Sequence, residues 1–188
     1  MIKVAIVGNI ASGKSQVEEI LQKQGFKVFD SDKIAHNLLY SSAEVLQMFP
    51  QCVENGIISR VKLADLVFND VQEREKLEKI IHPQVRGEIL KIFEELKDEN
   101  IVFVSVPLLF EAKMEDLFDK TLFVYADDEI RLKRLMLRNN LTESQALSRL
   151  RAQDSQESKL AKCDFVVKND STLDNLDVKV KKVLSQLI

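Results

Sequence analysis

The sequence predicts an α/β fold: a parallel five-stranded sheet flanked by helices, with an inserted helical subdomain. Three observations carry this. Short apolar runs rich in β-branched residues recur at Ile2 to Val7, Lys27 to Phe29, Ile101 to Val106, Thr121 to Tyr125 and Phe165 to Val167, with helical patterns between them. Such alternation builds a parallel sheet covered by helices. The second and third runs stand about seventy residues apart without a convincing strand, far more than one crossover helix needs, so a helical subdomain is inserted there, over about 31–98. The 188 residues, 45% of them hydrophobic, suffice for one well-filled core and fall short of two independent domains.

The first run leads into GNIASGKS, Gly8 to Ser15, and then into the helical pattern Val17, Ile20, Leu21. That is GxxxxGK[ST] in the strand, loop and helix order of a phosphate loop. The chemistry explains the spacing. The backbone N–H groups from Ala11 through Ser12, Gly13, Lys14 and Ser15 to Gln16 turn inward, and the following helix adds its positive end. Gly13 has no side chain to block a phosphate. Lys14 reaches the β- and γ-phosphates of ATP, and the Ser15 hydroxyl is a suitable ligand for Mg²⁺ beside them.

The second run ends at Asp30, with Asp32 close behind, on the carboxyl edge where parallel sheets bind ligands. One of these carboxylates would cap the helix beginning near Ser31, while the other would accept the proton of an acceptor hydroxyl. Within the insertion, Ser41 with Glu44 reads as a capping box, and Pro83 as a first helical residue after His82. The third run, IVFVSVP, lacks the acidic residue that holds metal-bound water in a typical ATPase, and no NKxD guanine motif is present, so transfer is favoured over hydrolysis.

After the fourth run, DDEIRLKRLMLRN sets Arg131, Arg134 and Arg138 at i, i+3 and i+7, on one helical face. Arg134 and Arg138 are candidates for neutralising charge on a transferred group, with Asp127 and Asp128 available as ordinary salt-bridge partners. A capping box at Thr142 and Gln145 starts the next helix, where Arg149 and Arg151 would join as a lid of about 127–160 closes. The last segment places Leu173, Leu176, Val180, Leu184 and Leu187 on one stripe, as a helix closing over the sheet would.

A net charge of -3, from 27 basic and 30 acidic residues, gives no drive toward nucleic acid or anionic membranes. The N-terminus lacks the pattern of a signal peptide and no apolar run approaches ~18 residues, so a soluble cytoplasmic protein is expected. Cys52 and Cys163 belong to no CxxC and read as idle reduced thiols. Monomer and small homo-oligomer are equally compatible with the sequence.

The assembled motifs resemble those of the dephospho-CoA kinase family along nearly the whole chain. GNIASGKS is similar to its TGGIGSGKS, FDSDKIAH to its VIDADxIAR, IIHPQV to its HP segment and VPLLFE to its VPLLxE, while RLKRLMLRN and RLRAQ resemble its lid helices. The resemblance implies a phosphate-loop kinase that uses ATP and Mg²⁺ to phosphorylate the 3′-hydroxyl of dephospho-CoA, the final step of coenzyme A synthesis. It implies Asp32 as the base, Lys14 as a phosphate ligand, and Arg134 and Arg138 as nucleotide or transition-state contacts. His82, Arg86, Pro107, Leu108, Leu109 and Glu111 would line the acceptor pocket, and Asn169, in the KND that follows the last strand, would lie near adenine. The chain departs from the pattern at Val7, Asn9, Ala11, Gln16 and His36, which replace threonine, two glycines, threonine and arginine. Ala11 stands where a positive φ would be costly. Another small-molecule kinase, of nucleoside, nucleotide or shikimate type, would share the loop, the Asp and the lid arginines; a non-catalytic ATP-binding regulator is the alternative outside the kinases.

Overall fold

The computed structural model describes residues 1–187 and divides them into two compact units, one formed by Met1–Phe29 with Leu96–Ile188 and the other by Asp30–Glu95. The first unit holds the sheet, built from β1 (Ile2–Val7), β2 (Lys27–Asp30), β5 (Ile101–Ser105), β6 (Lys120–Tyr125) and β7 (Phe165–Lys168) in the order β2-β5-β1-β6-β7. The intervening β3 (Val53–Glu54) and β4 (Ile57–Ile58) belong to the second unit. β1 is central and parallel to both neighbours, Ile6 lying opposite Ser105 on one side and Leu122 on the other. Val4, Ala5, Ile6 and Val7 are all fully buried, because helices cover both faces and each must meet apolar side chains.

Helix α1 (Lys14–Lys23) follows the first loop, and α9 (Leu173–Leu187) closes the chain. Val17, Ile20 and Leu21 of α1 pack with Val4, Ile6, Phe103, Val124 and the stripe of α9 in one core. That stripe differs in one place from its sequence pattern. Leu173 is exposed in the first turn of α9, and Val183 takes its share of the buried face instead. The first turn starts beyond the covered surface, whereas Val183 sits between Val180 and Leu184 where the contact continues.

The second unit contains α2 (Ser31–Ser41), α3 (Ala43–Met48), α4 (Arg60–Asn69) and α5 (Val71–Glu95). Three expectations are corrected here. The cap of α3 is Ser42, whose hydroxyl accepts from Val45 N, while Ser41 remains in α2 and turns its hydroxyl back to Asn37 O at 3.3 Å. Pro83 lies inside the 25-residue α5 rather than at a start. An internal proline costs roughly 3 kcal/mol, and the helix runs through it because Ile81, Val85, Ile89 and Phe93 form one continuous buried stripe on both sides of it. The insertion also contains the β3/β4 hairpin, turned by Asn55 and Gly56 at φ 51 and 79. Asn-Gly with both residues at positive φ is the preferred two-residue hairpin turn, a signal present in the sequence but flanked by strands only two residues long.

The first unit is completed by α6 (Asp128–Asn139), α7 (Glu143–Arg151) and α8 (Gln156–Leu160). The capping box at Thr142 and Gln145 is present in both directions. Both cysteines are free, and burial pushes the Cys163 thiol up to about 11.

Candidate active site

β1 delivers the chain to the sheet's carboxyl edge, and the next six residues, Gly8 to Gly13, wrap ahead of α1. The wrap is fixed by Ser12 N donating to Asn9 O at 3.1 Å and by Gln16 N donating to Gly13 O at 3.1 Å. Ala11 and Gly13 have φ of 61 and 93, the alternation of hand that gathers successive N–H groups into a concave nest. Gly13 caps α1 without a side-chain hydrogen bond, and the first turn of that helix carries no acidic residue. A helix start offers N–H groups and partial positive charge; here no side chain of the chain itself caps it. This cradle fits a polyphosphate. Lys14 Nζ donates to Gly8 O at 2.6 Å, Ser15 is exposed in the first turn, and Ser12 is buried beneath the loop.

Gly13 is required for a further reason. A Cβ there would stand 2.0 Å from Asn169 Nδ2. Asn169 is buried after β7, where its amide donates to Ser12 O and to Gln16 Oε1, both at 2.9 Å. Arg134 donates to Ser12 O and to Asn169 Oδ1, both at 3.3 Å. The structure thus brings Ser12, Gly13, Gln16, Arg134 and Asn169 together around the loop's inner end. Arg138 is exposed and bonds its neighbour Asn139, whereas Arg131 is buried and bonds Asp128 at 2.7 Å and Ile10 O at 3.0 Å. The three arginines therefore do not form one exposed stripe. Arg131 is the one drawn inward, its guanidinium held between Ile10 O and Asp128, while Asp128 and Glu129 beside it stay exposed.

Next to Asn169, Asp170 is held below the ordinary carboxylate range by the Lys179 ammonium at 2.8 Å, with Lys168 adding to the effect. On the other side of β1, Val106 N donates to Ile6 O, so the VPLLFE segment begins at the same sheet edge as the phosphate loop. Pro107 is half-buried, Leu108 exposed and Leu109 buried. Glu111 accepts from Lys159, a lysine of α8 that is almost wholly buried. Burying an ammonium requires such a partner.

In the second unit, Asp30 caps α2, its carboxylate accepting from Asp32 N at 2.9 Å and Lys33 N at 3.3 Å. Capping thus accounts for Asp30. Asp32 lies in the exposed first turn and lines a cleft of ≈ 330 Å³ with His36 and Leu39 of α2, Leu63 and Val67 of α4, and Leu77 of α5. The His36 and Tyr40 rings meet edge to face at 5.1 Å within it. His82 and Arg86, four residues apart on α5, are both half-buried.

The comparisons agree with this geometry. A family model described as CoaE, dephospho-CoA kinase, matches residues 2–175. Dephospho-CoA kinases of Listeria innocua and Carboxydothermus hydrogenoformans are 34% and 37% identical to the chain over 98% and 97% of its length, and 96% and 93% of their own. Among solved structures, one from Thermus thermophilus is 37% identical with TM-score 0.84, covering 100% of this chain and 98% of that one. The dephospho-CoA kinase of Campylobacter jejuni is 33% identical with TM-score 0.78, covering 98% and 96%. A shikimate kinase of Bacteroides thetaiotaomicron, 12% identical with TM-score 0.60 over 99% of this chain and 98% of its own, shares the fold. With the family model spanning residues 2–175 and relatives matched over nearly the full length of both chains, the chain belongs to the dephospho-CoA kinase family.

Proposed function

We propose that this chain carries out the family's reaction with the triphosphate on the Gly8 to Gln16 cradle and with Asp32 as the base at the acceptor hydroxyl. The activity is ATP-dependent phosphorylation of dephospho-CoA to coenzyme A, the last step of that synthesis. One observation supports the phosphate reading above the others: a helix N-terminus with no side-chain cap, no acid in its first turn, and two positive-φ residues ahead of it.

When bound, ATP supplies the phosphoryl group, and Mg²⁺ would screen its charge. Ser15 would hold the Mg²⁺, and Lys14 would neutralise the β- and γ-phosphate oxygens. Arg134, half-buried and already ordered by two hydrogen bonds, meets the nucleotide with little loss of side-chain freedom, and exposed Arg138 swings in as α7 closes. Asp32 orients the 3′-hydroxyl and takes its proton late in a loose transition state. The cleft beside Asp32 is chiefly apolar, which suits the uncharged arm of the acceptor; His82, Arg86, Pro107, Leu108, Leu109 and Glu111, none of which lines it, are the further acceptor contacts of this reading. No helix of the described residues is long and apolar enough to cross a membrane, and we place the reaction in the cytoplasm.

The test is ADP release with ATP and Mg²⁺ in the presence of dephospho-CoA, AMP, cytidine, shikimate or no acceptor. Turnover with dephospho-CoA alone is expected. Preference for another acceptor would overturn the substrate, and ATP binding without turnover on any acceptor would overturn the catalytic reading.

A further inference from the structure

The outer side of the phosphate loop is held by residues far away in sequence. Ile10 N donates to Gln153 Oε1 at 2.7 Å, Asn9 Nδ2 donates to Asp154 O at 2.8 Å, and Arg131 Nε donates to Ile10 O at 3.0 Å. Arg131 is itself anchored by Asp128, whose same oxygen also accepts from Gln156 Nε2 at 2.9 Å. Both peptide groups flanking Ile10 are therefore gripped from outside.

A trans peptide points its N–H and C=O in opposite directions. Holding the Ile10 N–H outward on Gln153 turns the Asn9 carbonyl the other way, where it accepts the Ser12 N–H. Holding the Ile10 carbonyl outward on Arg131 likewise turns the Ala11 N–H inward, toward the phosphate nest. The strained φ of 61 at Ala11 is maintained by this grip, since alanine does not favour that conformation unaided.

We propose that Gln153 is a positioning residue of the nucleotide site: acting through the Ile10 peptide and together with Arg131, it sets the direction of the loop amides that receive phosphate. This rests on the phosphate reading above and adds a residue that touches neither nucleotide nor acceptor. Its role is specific to phosphate binding. Loss of the Gln153 acceptor leaves an amide unpaired and lets the Asn9–Ser12 turn relax, so triphosphate affinity falls while the acceptor side is unchanged.

The experiment measures ATP·Mg²⁺ binding by calorimetry, without acceptor, for the full chain, for Gln153→Met and for Gln153→Glu, at about 0.3 M salt to screen the added charge. Gln153→Met removes the acceptor at similar volume and is expected to weaken ATP by about tenfold. The KM for dephospho-CoA is expected to stay within about twofold, because the lost hydrogen bond lies on the phosphate side. Gln153→Glu keeps an acceptor oxygen and recovers most of the affinity. Amide hydrogen exchange supplies the second readout: Ile10 and Ser12 lose protection together in Gln153→Met and retain it in Gln153→Glu. Unchanged ATP affinity alongside lost Ile10 protection overturns the proposal. So does an equal loss in both variants, or a parallel fall in ATP affinity, acceptor KM and melting temperature, which marks a general structural role. Because no acceptor is used for binding, a chain that binds ATP yet fails to phosphorylate dephospho-CoA would overturn the acceptor reading and leave this one standing.

Discussion

Around the phosphate loop, Asn9, Ser12, Arg131, Gln156 and Asn169 are all buried, whereas Ser31 and Ser42 are the only polar side chains buried in the unit Asp30–Glu95 among the described residues. The loop's backbone is held by Arg131, Arg134 and Asn169, which donate to its carbonyls, and by Gln153, which accepts from Ile10 N. The cleft beside Asp32 is walled by Leu39, Leu63, Val67 and Leu77 instead. A phosphate needs directed N–H groups fixed in advance, and directed polar groups inside a protein must all be paired or their burial is costly. The uncharged acceptor arm proposed for the cleft needs area, which apolar side chains supply without fixed direction.

The largest expected effect is on the cleft side. Asp32→Asn is expected to lower kcat by ~10²-fold or more while ATP affinity holds, since a positioned base contributes about that much. Steady-state kinetics beside calorimetry would check it, and unchanged turnover would remove Asp32 from the role.

Next comes the loop. Gly13→Ala places a Cβ 2.0 Å from Asn169 Nδ2 at a φ of 93. The cost of a left-handed alanine is about 1–2 kcal/mol before any clash, so ATP affinity should fall at least ~10-fold. Thermal melting should drop by about 4–8 °C. A variant with native affinity would show that the loop is adaptable and erase the contrast with the cleft.

A smaller effect is expected from filling the cleft. Ala35→Leu adds volume at its wall and should raise the KM for dephospho-CoA by about tenfold with ATP affinity unchanged. Equal effects on both substrates would mean that the cleft does not belong to the acceptor alone.

The smallest concerns Ala11. Its φ of 61 suits glycine, so Ala11→Gly should stabilise the chain by up to about 1 kcal/mol. Melting should rise by about 2–4 °C. A fall would indicate that the methyl group makes packing contacts worth more than the strain.

Much of this was legible in the chain. The five apolar runs became the five strands of the sheet, and GNIASGKS lies between β1 and α1 as its spacing requires. Asp30 and Thr142 cap helices as their short polar side chains allow. These features depend on residues within a turn or two of each other. Pro83 escaped the reading because local propensity marks proline as a helix start, while a buried stripe spanning Ile81 to Phe93 outweighs it. Gln153, although it ends the RLRAQ segment, carries no signal of what it binds, and Lys159 carries no local signal. Their partners, Ile10 and Glu111, lie 143 and 48 residues away.

The sequence by itself therefore determined the strand runs, the phosphate loop and the family, because hydrophobic periodicity and a contiguous nest of backbone donors are written in neighbouring residues. Only the tertiary structure decided which arginine is buried as a strut and which stays exposed, why Gly13 tolerates no methyl group, and what holds Ile10. Those depend on side chains brought together by the packing of distant segments, where burial favours pairing between polar groups whatever their spacing in the chain.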